Sequence, residues 1–107
     1  SVTLEWMSVD RGQLPEAYAL HPNFPNPFNP STTIRFEVPD NAYTQLTIYN
    51  LLGEKVNTLI NGRLMPGHYS TKWNGTSKQG ELMPGGVYFY ELSGSQNTII
   101  GKMVLLK

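Results

Sequence analysis

Apolar and polar side chains alternate with a period of two over several short stretches of this chain. No window keeps apolar residues at helical spacing for three turns. The clearest stretch is Thr32 to Val38, where Ile34, Phe36 and Val38 alternate with Thr33, Arg35 and Glu37, so one face is apolar and the other wet. Pro39 removes a ladder donor and ends it. Gln45 to Asn50 comes next, with Leu46 and Ile48 on one face. Leu51-Leu52-Gly53-Glu54 then supplies a turn, and Lys55 to Ile60 is predicted to return antiparallel. His68 to Asn74 sets Tyr69, Thr71 and Trp73 against His68, Ser70 and Lys72, which makes Trp73 a core anchor. Asn74-Gly75, Gln79-Gly80 and Pro84-Gly85-Gly86 mark turns, and Val87 to Leu92 with Thr98 to Leu106 forms the last hairpin.

With Ala17 to Leu20 as a short strand, the pattern predicts an all-β, immunoglobulin-like antiparallel β-sandwich of about seven strands. The expected buried set includes Ile34, Phe36, Ile48, Trp73 and Phe89. His21 to Pro30 holds four prolines and three asparagines, so it reads as an extended lead-in that Phe24 and Phe28 pin to the sandwich. Thr3 to Val9 has strand character, with Leu4, Trp6 and Ser8 on one face, but Gly12 and Pro15 interrupt any continuous ladder to the strands beyond. Residues 1–17 are therefore expected to be a linker, the end of an upstream segment or a donated strand, with the part before Leu14 mobile or paired outside its own domain. Residues 18–107 are expected to form the domain proper.

The chain has 107 residues and is 39% apolar, enough for one core but not for a second lobe and a cleft. Eight basic and eight acidic side chains cancel, which argues against nucleic acid as a partner. No cysteine is present, so a disulfide framework, a thiolate zinc site and a cysteine nucleophile are all excluded. No apolar run approaches the roughly 20 residues that a membrane-spanning helix needs.

Candidate chemistry is sparse. His21 and His68 have no Asp or Glu at metal-ligand spacing, and the carboxylates are dispersed singly, so no acid–base pair and no metal site is expected. Asn74 to Gly80 offers neutral oxygens and a lysine, which suits a turn better than a calcium loop. Asn74-Gly75-Thr76 also matches a glycosylation acceptor, and the same residues are ordinary turn chemistry. Tyr49, Tyr69, Trp73, Tyr88, Phe89 and Tyr90 would make a carbohydrate platform only if exposed in a row, and neighbours in a strand point to opposite faces. No cofactor and no enzymatic activity are expected.

Asn23-Phe24-Pro25-Asn26-Pro27-Phe28-Asn29-Pro30-Ser31-Thr32-Thr33-Ile34-Arg35-Phe36 resembles the start of type IX secretion system C-terminal sorting domains, also called Por secretion tails. The resemblance continues in order through Leu46 to Val56, Gly67 to Gly75, Leu82 to Tyr90 and Lys102 to Lys107, covering Tyr18 to Lys107. The scaffold is also similar to the immunoglobulin-like domain of flagellar hook-capping proteins. What the resemblance implies is an address for exporting an upstream passenger across the outer membrane, with outer-membrane secretion machinery and a sortase-like peptidase as partners. It also implies passage through the periplasm to the cell surface or medium.

A sheet whose last strand ends the sequence offers an edge for strand addition. The residues expected to be read by a partner are Gly101, Lys102, Met103, Val104, Leu105, Leu106 and Lys107, with Gly101 allowing close backbone approach and the lysines marking register. The alternative is a structural module that builds a fibre by strand exchange, the segment Thr3 to Val9 of one copy completing the sandwich of another.

Overall fold

Alternation decides which side chains the strands bury, and two stacked sheets are the simplest way to cover every apolar face at once. The computed structural model describes residues 2–4, 14–95 and 97–106 of the chain. Its strands are β1 (Val2–Leu4), β2 (Ala19–Leu20), β3 (Thr32–Val38), β4 (Ala42–Asn50), β5 (Lys55–Leu64), β6 (Gly67–Trp73), β7 (Gly86–Gly94) and β8 (Asn97–Leu105). They form two four-stranded antiparallel sheets, ordered β1-β6-β3-β2 and β5-β4-β7-β8. This is the expected immunoglobulin-like sandwich, with the seven predicted strands in place as β2 to β8.

Ile34, Phe36, Val38, Leu46, Ile48, Tyr69, Leu92 and Met103 interdigitate between the sheets. Trp73 lies at one end of that core, tilted against Phe28 at 5.7 Å and edge-on to Tyr88 at 5.3 Å. Its indole nitrogen donates to the Thr76 carbonyl at 2.8 Å, so burial leaves its polar atom satisfied.

Three expectations are corrected by the fold. Phe89 does not face the core. In β7 the inward positions are Tyr88, Tyr90 and Leu92, which puts Phe89 on the outer face, only partly buried, opposite Tyr49 and Lys102. Of the two phenylalanines in the lead-in, Phe28 is pinned at 1% exposure while Phe24 stands 80% exposed. Finally, Val2–Leu4 pairs with Thr71, Ser70 and Tyr69 of β6 in this same chain, where a segment mobile or paired outside its own domain was expected. The far edge of β6 offered three residues of ladder there, and no bond across Gly12 or Pro15 was needed to reach it. The remainder of the predicted strand, Glu5 to Val9, lies outside the described residues.

The lead-in covers two sheet edges in succession. His21 and Phe24 continue the ladder of β2 along β3, through His21 N to Arg35 O at 2.9 Å and the reciprocal Phe24–Thr33 pair at 3.0 and 2.9 Å. The chain then crosses to the second sheet, where Phe28 bridges Leu105 in parallel. Prolines leave few main-chain donors in this stretch, and those of Phe24 and Phe28 are both used.

Candidate functional site: the outer edge of the last strand

β8 ends the order of its sheet, with β7 on one side only. The seven residues expected to act together divide by parity. Met103 and Leu105 point inward and are buried, and they belong to the core. Lys102 projects from the outer face beside Phe89, Val104 is half-buried, and Leu106 is 48% exposed. Lys107 lies outside the described residues.

Gly101 has a reason within the fold itself. A Cβ there would lie 2.3 Å from Cζ of Tyr90, the residue directly opposite in β7. The missing side chain therefore makes room for the Tyr90 ring, which lies across the glycine. That ring is anchored by its hydroxyl, which donates to the His21 carbonyl at 3.0 Å and accepts from the Asn23 amide at 3.1 Å. Burial pushes the Tyr90 phenol above the usual tyrosine range, and the Asn23 amide opposes the shift. Gly94 has the same relation to Tyr18, whose ring would meet a Cβ at 2.6 Å.

The main-chain edge is closed at one end and open at the other. Val104 N donates to Oδ1 of Asn26 at 3.0 Å, Val104 O accepts from Phe28 N at 3.0 Å, and Leu106 N donates to Phe28 O at 2.8 Å. Residues 104 and 106 thus direct their main-chain groups away from β7. By the two-residue period of a strand, Thr98, Ile100 and Lys102 do the same. Among the described residues nothing pairs with those three on that side, and Ile100 is 61% exposed. The part of the edge available for strand addition therefore lies ahead of the last few residues. The closure by Asn26 and Phe28 had no local signal in the sequence.

The histidines have no Asp or Glu at metal-ligand spacing along the sequence. Instead the sheet places Glu37 between them, with Oε2 3.0 Å from His21 Nε2 and 3.4 Å from His68 Nδ1. Glu37 and His68 are register partners across β3 and β6, and His21 arrives along the β2 edge, so the contact is made by topology and sequence spacing could not show it. Among the described residues, no group of three or more His, Cys, Asp or Glu is arranged to hold a metal ion.

Residues 26–98 match the FlgD Ig-like domain family. The chain belongs to that family. No curated protein matches it in sequence. Among solved structures, dimeric latent PorU from Porphyromonas gingivalis is similar with a TM-score of 0.70 and 24% identity, over 92% of this chain and 10% of that one. FlgD from P. aeruginosa is similar with a TM-score of 0.55 and 23% identity, over 69% of this chain and 59% of that one. PorZ of Porphyromonas gingivalis, an essential bacterial surface component of the type-IX secretion system, is similar with a TM-score of 0.56 and 17% identity, over 84% of this chain and 11% of that one. The chain thus spans about a tenth of the two Por proteins. At these identities the likeness establishes a shared Ig-like fold.

Proposed function

We propose that this FlgD-type Ig-like domain is a C-terminal sorting domain that directs a passenger protein across the outer membrane by the type IX secretion system. The observation that carries the reading is the exposed edge of β8, where Thr98, Ile100 and Lys102 turn their main-chain groups and Ile100 its side chain to solvent. An address must be legible on a folded protein, and an edge strand held in register by its neighbour meets that need without unfolding. The ordered sequence blocks from Asn23 to Lys107 and the occurrence of this fold within PorU and PorZ support the same reading. In it, the domain has no catalytic role, the outer-membrane machinery and a sortase-like peptidase are its partners, and it passes from the periplasm to the cell surface or medium. The fibre-forming alternative drew on an unattached N-terminal segment, and Val2–Leu4 is attached to β6 within the chain.

The test is a reporter fused ahead of the domain, with Ile100→Glu and Lys102→Glu combined on the open stretch of the β8 edge. Changes of this kind at exposed sites typically shift stability by no more than about 0.5 kcal/mol, so the fold survives. The expected outcome is retention of the reporter in the periplasm. A reporter that still reaches the medium at the wild-type level removes the recognition role of that edge.

A further inference from the structure

The open stretch of β8 constrains what an added strand must look like. Main-chain groups and side chains alternate together along a strand, so residues that turn their amides and carbonyls outward also share one face. Here they are Thr98, Ile100 and Lys102, on the outer face of the sheet, opposite to the buried Met103 and Leu105. Both ends of the stretch are bounded. Asn26 and Phe28 occupy the edge at Val104 and Leu106, and at the other end the chain turns back toward β7 through Ser95, whose φ is 50°. An incoming strand thus has only Thr98 to Lys102 to pair with.

The outer row of that stretch is hydroxyl, apolar and cationic in turn. Lys102 is exposed, and among the described residues no carboxylate pairs with it. Glu91 stands opposite Ile100 in β7, one strand in from the edge, and accepts from the Tyr49 hydroxyl at 3.1 Å. The inner row is Ile99 and Gly101. On that side the lead-in lies close, because the Tyr90 ring crosses Gly101 and its hydroxyl meets His21 O and Asn23 N. An added strand therefore has little room for inward side chains.

Resting on the sorting reading of this edge, we infer that it receives an antiparallel strand of a partner protein with the pattern acidic, small, apolar, small, hydroxyl. The carboxylate lies directly opposite Lys102, the apolar residue opposite Ile100 and the hydroxyl opposite Thr98, all on the outer face. Antiparallel pairing sets hydrogen-bonded residues squarely opposite one another and is the more stable arrangement per residue. Opposite charges and β-branched pairs placed in this way support the ladder, whereas a lysine opposite Lys102 opposes it. A second copy of β8 does not meet the pattern: paired antiparallel about Ile100, it sets each Lys102 against a Thr98 and supplies neither with a carboxylate.

The experiment is amide chemical-shift mapping on the whole labelled domain, titrated separately with the capped peptides Glu-Ser-Val-Ser-Thr, Lys-Ser-Val-Ser-Thr and the reversed Thr-Ser-Val-Ser-Glu. The first is expected to shift Thr98, Ile100 and Lys102 with a Kd on the order of 1 mM. The other two should bind about threefold more weakly, the size of one cross-strand pair. On the Lys102→Glu variant the first two peptides should exchange rank. Silence of all three at about 10 mM, shifts that map away from the edge, tighter binding of the reversed peptide, or the same rank on both proteins would each overturn the assignment. Export is read separately by the reporter, so the two readings fail independently. Blocked export with unranked peptides sinks only the strand pattern, and normal export with ranked peptides sinks only the sorting role.

Discussion

Trp73 has the largest side chain in the fully buried set and touches both the lead-in, through Phe28, and the second sheet, through Tyr88. Trp73→Ala empties a site that neither sheet can close and is expected to cost about 3–5 kcal/mol, read as a lower urea midpoint at unchanged slope. An unchanged midpoint would remove it from the core. Gly101→Ala tests a finer point. The Tyr90 ring that a methyl group would meet is tied at its hydroxyl to two backbone groups, so it cannot swing away. A loss of about 1–3 kcal/mol is expected, typical of overpacking. If Gly101 instead mattered only for a partner's approach, the same variant would melt with the wild type. The sequence marked both residues as special. It showed why for Trp73, whose strand alternates cleanly. For Gly101 it did not, because the reason sits in another strand.

At the scale of elements, the strands of the sheets were legible because each carries its own evidence: a period of two, and a glycine or proline to stop it. What was not legible is which element covers which. Tyr88-Phe89-Tyr90 is aromatic at every position, so periodicity cannot choose the inward face, and the register with β4 and β8 decides it. The lead-in read correctly as extended, yet its role as a clasp over the end of β8 depends on the Asn26 and Phe28 contacts with Val104 and Leu106, which lie at the far end of the sequence. That clasp makes a prediction. The amides of Val104 and Leu106 should be protected from hydrogen exchange and those of Ile100 and Lys102 should exchange fast, although all four lie on or beside one strand edge. Asn26→Ala should cost about 0.5–1.5 kcal/mol, one hydrogen bond's net worth, and selectively speed exchange at Val104. Equal exchange along the whole edge would mean that no clasp exists in solution.

For the molecule as a whole, the core is lined with tyrosines where many sandwiches use aliphatic residues, and this fixes how stability should respond to base. Burial raises the phenols of Tyr69, Tyr88 and Tyr90, and burial with the adjacent Glu91 carboxylate raises that of Tyr49. Each is an acid whose neutral form the folded state prefers. Below the unfolded value of about 10 both states hold the proton, and the contribution is fully present. Above it the unfolded chain ionises first and binds fewer protons than the folded one, so stability must fall as pH rises toward the folded values. Urea midpoints measured from pH 8 to about 11 are therefore expected to be level at first and then to decline steeply past about pH 10. Tyr90→Phe separates titration from packing. It removes the hydroxyl that holds His21 and Asn23, so the variant should be weaker at neutral pH by about 1–3 kcal/mol. It also removes one of the groups responsible for the decline, so its midpoint should fall less steeply in base than that of the wild type. Parallel curves for the two proteins would show that Tyr90 ionises in the folded state as freely as in the unfolded one, and that the core does not exclude its charge.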